Sequence, residues 1–162
     1  MGNVLALDTP TLLKLVKVPV STLNSWVRRE FCPGPLDAGT GRRATRYWTV
    51  EHVVTFQAIK ALRAAGCPLQ LIAKVDDQLR NSFNSNLAAA TLCYDGRDVF
   101  VIEGSDVINV IRNAGQAAFP EALTLSAFPL RPWQEDGARN AKEVDIDQIR
   151  SRREKLKQRR AS

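Results

Sequence analysis

Histidine is almost missing from this 162-residue chain, which has one, and cysteine is sparse, with three. Cys32, Cys67 and Cys93 stand far apart. No C-x-x-C or Cys/His cluster gathers thiolate and imidazole ligands, so neither a closed zinc site nor a disulfide framework is expected. Cys67 and Cys93 read as small core residues, and Cys32, in a loop, as the one thiol to test for reactivity. No apolar run approaches the roughly 20 residues that cross a bilayer. The opening MGNVLALDTP lacks the basic start and long apolar core of a secretion signal, so a cytoplasmic location is expected. Catalytic constellations are missing too. Asp95, Asp98 and Asp106 have no histidine or nucleophile beside them and read as turn and cap residues, so no enzyme and no cofactor is expected.

Charge is present but unevenly spread. Residues 1–80 carry 11 basic and 6 acidic side chains, residues 81–139 carry 4 and 7, and residues 140–162 carry 8 and 4. The two basic ends suit a polyanion and the acidic middle does not.

Periodicity organises the first half. Leu12, Leu13, Leu15 and Val16 form one apolar face, and Val20, Leu23, Trp26 and Val27 form another. Pro10 and Pro19 sit where helices begin, and Thr9 can cap the first. This is the spacing of a helix-turn-helix, whose second helix would offer Ser21, Thr22, Asn24, Ser25, Arg28 and Arg29 to a groove. Cys32-Pro-Gly-Pro then forces a turn into a basic loop, with Arg42, Arg43 and Arg46 ahead of Tyr47 and Trp48. From Thr49, a suitable N-cap, Val53, Phe56, Ile59 and Leu62 mark a helix whose Glu51, Gln57, Lys60 and Arg63 can stay wet. Gly66 ends it in a left-handed position, and Pro68 takes the first position of another helix bearing Leu69, Ile72, Val75 and Leu79.

On these residues the sequence resembles the DNA-binding domain of the MerR family of winged-helix regulators. LKLVKVPVSTLNSWVRREF (Leu13–Phe31) is similar to that family's helix-turn-helix, and RYWTVEHVVTFQAIKALRAAGCPLQLI (Arg46–Ile72) to its wing-to-helix segment. Against the family pattern, Lys17 replaces the usual turn glycine, Asn24 replaces the usual arginine after Thr-Leu, and the wing is longer. The long dimerising coiled coil expected of the family does not follow. The resemblance implies a DNA-binding regulator, associated with the nucleoid, with Arg42, Arg43 and Arg46 gripping phosphates and Tyr47 and Trp48 anchoring the wing.

Asn81 to Asn86 break the helical pattern and read as a linker at 81–87. Beyond it, Thr91–Tyr94 and Arg97–Glu103 flank Asp95-Gly96, a strong hairpin signal. Ser105 can cap a short helix bearing Val107, Ile108, Val110 and Ile111, ended by Gly115, and a third strand is expected over about 122–128. Pro129 and Pro132 then stop regular pairing, and Trp133 packs back on the unit. The expected fold is therefore α+β: a winged helix-turn-helix at 1–80, a small mixed unit for dimer or partner contacts at 88–139, and a basic helical or disordered tail at 140–162. That tail reads either as a solvated run or as an aid to DNA or partner binding. The second half also resembles VapB-type antitoxin regulators, which implies a protein partner such as a toxin. A dimeric repressor on double-stranded DNA, an autoregulating antitoxin and an excisionase-like architectural protein are the functions these features allow.

Overall fold

The structure is a computed structural model that describes residues 3–29, 34–36, 45–111, 117–118 and 130–161. It is a mixed α+β fold with two antiparallel sheets and six helices among these residues. Strand β1 (Asn3–Asp8) leads into helices α1 (Thr9–Val16) and α2 (Val20–Arg28). Strand β2 (Tyr47–Trp48) precedes α3 (Val50–Ala64) and α4 (Leu69–Ser82). A hairpin set follows, β3 (Leu92–Tyr94), β4 (Val99–Glu103), β5 (Asp106–Asn109) and β6 (Ala117–Ala118). Helix α5 (Leu130–Asn140), β7 (Lys142–Asp145) and α6 (Ile146–Ala161) close the chain.

The helix-turn-helix forms as its apolar spacing predicts, with differences at its ends. Asp8, not Thr9, caps α1: its Oδ1 accepts from the Thr11 N–H at 2.9 Å. The Thr11 hydroxyl and then this N–H hold the Asp8 carboxyl below its ordinary value. Thr9 is used elsewhere, its Oγ1 accepting from Trp48 Nε1 at 3.0 Å. Lys17 ends α1 in the left-handed region, φ 57° and ψ 48°, where glycine carries no steric cost and a lysine does. Its N–H donates to the Leu13 carbonyl at 2.8 Å, closing the turn. Pro19 and Pro68 occupy cap positions with extended ψ, one residue before the helical position expected of Pro68, and their carbonyls accept from Leu23 and Ile72.

Helix α3 is the central strut, and its polar residues are not simply wet. Gln57 Nε2 donates to the Leu15 carbonyl at 3.0 Å and Lys60 Nζ to the Val16 carbonyl at 2.9 Å. Both groups satisfy carbonyls at the α1 C-terminus that lack intrahelical partners, and the ammonium sits at the negative end of that helix's dipole. Arg63 Nη1 donates to the Cys67 carbonyl at 3.1 Å. Gly66, at φ 98°, turns the chain into α4, which runs to Ser82, past the break expected at Asn81.

Two parts of the second half differ from expectation. The helix expected after Ser105 is instead β5, paired with β4 through Glu103↔Asp106 around a Gly104-Ser105 turn, with Gly104 at φ 61°. Val107 and Ile108 are β-branched and stiff at χ1, and a two-residue glycine loop offers the strand pairing that suits them. The Asp95-Gly96 hairpin is present, with Asp95 Oδ1 accepting from the Arg97 and Asp98 N–H groups. Beyond the point where Pro129 and Pro132 are expected to stop strand pairing, a helix not read from the sequence, α5, begins at Leu130. Pro132 lies in its first turn, where a missing N–H costs nothing. Gly137 lets α5 approach α3 closely, since a Cβ there would meet Val50 Cγ1 at 3.0 Å. The expected strand at 122–128 and the Gly115 stop lie outside the described residues.

One buried cluster runs from Leu7, Leu12 and Leu23 through Phe56, Ile59 and Leu62 to Leu79, Leu92, Val99 and Val101, with Trp133 packed against it. Cys67 lies within this cluster and Cys93 is buried on β3, and burial pushes the Cys67 thiol up to about 11. Cys32 lies outside the described residues.

Candidate nucleic-acid interface

Four aromatic rings connect the second helix of the helix-turn-helix to the wing. Trp26 on α2 stacks on Phe56 of α3, with centroids 6.3 Å apart and planes 25° apart. Phe56 meets Trp48 of β2 edge-on at 5.5 Å, and Trp48 meets His52 edge-on at 5.4 Å. Trp48 is fully buried, paired with Leu7 across β1 and β2. The placement of the wing stem at Trp48 is therefore set by core packing, since edge-to-face geometry fixes the rings relative to one another.

Upon this column sit the polar groups. Arg46 lies over the Trp48 ring, its Cζ 5.5 Å from the centroid, and its Nη1 donates to Asn24 Oδ1 at 2.7 Å. The ring face attracts the cation and limits where the guanidinium can point. Thus the wing and the middle of α2 are joined by one hydrogen bond. Of the residues expected to face DNA, Ser21, Arg28 and Arg29 are exposed, and Thr22, Asn24, Ser25, Arg46 and Tyr47 are half-buried. Arg42 and Arg43 lie outside the described residues. The wing stem is described, with the Leu36 N–H donating to the Tyr47 carbonyl at 2.8 Å.

Val20 departs from its expected place in the apolar face. It is 47% exposed at the first position of α2, beside Ser21. Exposed apolar surface beside polar groups expected to face a groove is a signal that periodicity hides, because the first turn of a helix need not follow the stripe of its later turns.

His52 braces the wing base. Its Nδ1 accepts from the Thr49 N–H at 3.0 Å, completing a capping box, and its Nε2 donates to the Gly34 carbonyl at 2.7 Å. These partners select the neutral imidazole with hydrogen on Nε2. Burial, the largest influence, lowers its pKa; the Gly34 carbonyl and the Glu51 charge oppose that only in part. A lowered folded-state pKa means that the unfolded chain takes the proton first. Stability from His52 is therefore complete above its ordinary value of 6.5 and falls as pH drops below it toward the lowered value. This is the only histidine. We expect the melting temperature to fall between about pH 7.5 and 5.5, and to change less in His52→Gln, which keeps a capping-box side chain without the titration. Equal pH responses in the two proteins would refute the assignment.

Among the described residues no group of three or more His, Cys, Asp or Glu is placed to hold a metal ion, and no helix is long and apolar enough to cross a membrane. No curated protein matches the chain, and no solved structure does. Residues 10–79, from α1 through the buried end of α4, match the family model described as MerR HTH family regulatory protein. Residues 10–79 are thus similar to a MerR-type helix-turn-helix, and in general kind the protein is a DNA-binding transcriptional regulator.

Proposed function

We propose that the protein is a sequence-specific repressor that binds double-stranded DNA as a dimer, without a cofactor. Helix α2 enters the major groove, with Ser21, Thr22, Asn24, Ser25, Arg28 and Arg29 toward the bases and phosphates, while Arg42, Arg43, Arg46 and Tyr47 meet the backbone. The observation that carries this reading is the 2.7 Å hydrogen bond from Arg46 to Asn24. It holds a cation at the rim of the recognition surface and fixes the Asn24 amide before DNA arrives. The bonded oxygen keeps a second lone pair and the Nδ2 group remains a donor, so Asn24 can still pair with the N6 and N7 edge of adenine. Exposed Val20 suits a thymine methyl.

Repression by occupying a promoter needs only affinity and specificity. Two half-sites at fixed spacing supply these better than one, since a single winged helix covers a short stretch. We place the dimer contacts in residues 88–139, which follow the DNA-binding residues 1–80 after the segment 81–87. Their net acidic charge disfavours a position against phosphate.

Selection from a random-sequence duplex pool tests the reading. We expect a two-fold symmetric site. Asn24→Ala should relax preference at one position per half-site by about 1–3 kcal/mol while leaving affinity for unrelated duplex nearly unchanged. A pool without enriched sequences would refute sequence-specific binding. Enrichment of a single asymmetric half-site would refute the dimer.

A further inference from the structure

We propose that α6 is a second DNA-contacting element: a basic helix fixed beside the wing that grips duplex phosphates outside the site read by α2. The proposal rests on the DNA-binding reading and deepens it.

Seven of the sixteen residues of α6 are Lys or Arg and two are acidic. Such a helix has almost no apolar face to hold it, and Ile146 is its one buried residue among those described. It is held by hydrogen bonds instead. Asp145 Oδ1 accepts from the Gln148 N–H at 2.9 Å and caps its start, while β7 ties that start to β1. Arg150 Nη2 donates to the Leu36 carbonyl at 3.0 Å, and Arg153 Nη2 to the Thr45 carbonyl at 2.7 Å. Those carbonyls belong to the two legs of the wing stem.

Thr45 adjoins Arg46, which reaches Asn24. A connected path of three side chains therefore runs from α6 across the wing to α2. Three basic groups lie along it or beside it: Arg46 on the wing stem, and Arg150 and Arg153 on α6. Gathering like charges is unfavourable in the free protein, and a polyanion laid across them relieves the repulsion. Beyond Arg153, α6 continues for eight residues to Ala161, about 12 Å at 1.5 Å per residue. Duplex DNA presents roughly seven phosphate charges over that length. Arg152, Lys155 and Lys157 are exposed along this run, and none of the wing hydrogen bonds uses them.

The full-length triple variant Arg152→Gln/Lys155→Gln/Lys157→Gln tests this against wild type, on the selected duplex and on an unrelated one, between about 50 and 200 mM salt. We expect log K against log salt to become shallower by about 2.7, or 0.9 per lost contact, on both duplexes alike, with base preference unchanged. The charge-conserving Arg152→Lys/Lys155→Arg/Lys157→Arg should keep the wild-type slope. Thermal melts should show both variants folded, since exposed helix positions accept all these residues. A glutamine variant with wild-type slope and affinity would overturn the proposal and leave α6 to an acidic protein partner or to solvent. If wild type binds duplex and only the slope prediction fails, the recognition reading survives. If wild type binds no duplex at all, both are overturned.

Discussion

Trp48→Ala is expected to cost about 3–5 kcal/mol of folding stability, a large part of the roughly 5–15 kcal/mol that holds a domain together. The indole is fully buried, donates to Thr9 and meets Phe56 and His52 edge-on, so its removal leaves a cavity and an unpaired hydroxyl where the wing meets the core. Trp48→Phe should cost less, keeping an aromatic edge but losing the Thr9 hydrogen bond. Urea unfolding gives the comparison. A loss below about 1 kcal/mol for the alanine variant would mean that the aromatic column does not anchor the wing.

Arg46→Ala is expected to weaken binding to the selected duplex by about 10- to 100-fold, or about 1.4–2.8 kcal/mol. The substitution removes a cation, the ring contact and the clamp on Asn24 together. The sharper test is a double-mutant cycle. Arg46→Ala and Asn24→Ala should couple by more than about 0.5 kcal/mol, because the first releases the amide that the second deletes. Arg46→Ala and Ser21→Ala should add. Full additivity of the Arg46 and Asn24 changes would show that their hydrogen bond does not survive on DNA.

Local signals made much of the DNA-binding half legible. The spacing of Leu12, Val16, Leu23 and Trp26, the Thr49 cap and Gly66 each act within a few residues of themselves, so α1 to α4 follow from the chain read in order. Signals fail where a distant partner decides the outcome. The residues 3–8 could fray or form a strand on local grounds, and β1 exists because Trp48 and Val144 lie on either side of it. Gln57 and Lys60 look like solvent residues until α1 brings its carbonyls to them. Pro129 and Pro132 mark an end to strand pairing but do not announce α5, because a proline in the first turn of a helix and a proline in a loop read alike locally. Candidate contact residues were legible as chemistry but not as geometry. Nothing in the spacing of Asn24 and Arg46 announces their hydrogen bond, and nothing in the charge run of α6 announces that two of its arginines hold the wing.

Strand β1 is the middle of its sheet, with β2 on one side and β7 on the other. Its pairing of Asn3 with Asp145 joins residues at nearly opposite ends of the sequence, which gives this small sheet a high contact order. During synthesis β1 leaves the ribosome before β7, and the wing strand made between them covers only Leu7 and Asp8. The other side of β1, from Asn3 to Ala6, stays an open edge until β7 has been made, while Leu5 is 52% exposed even in the finished fold. An open edge with an exposed leucine is a template for pairing with a second nascent chain. The sheet that places the wing stem is thus protected on that side only after β7 has been made.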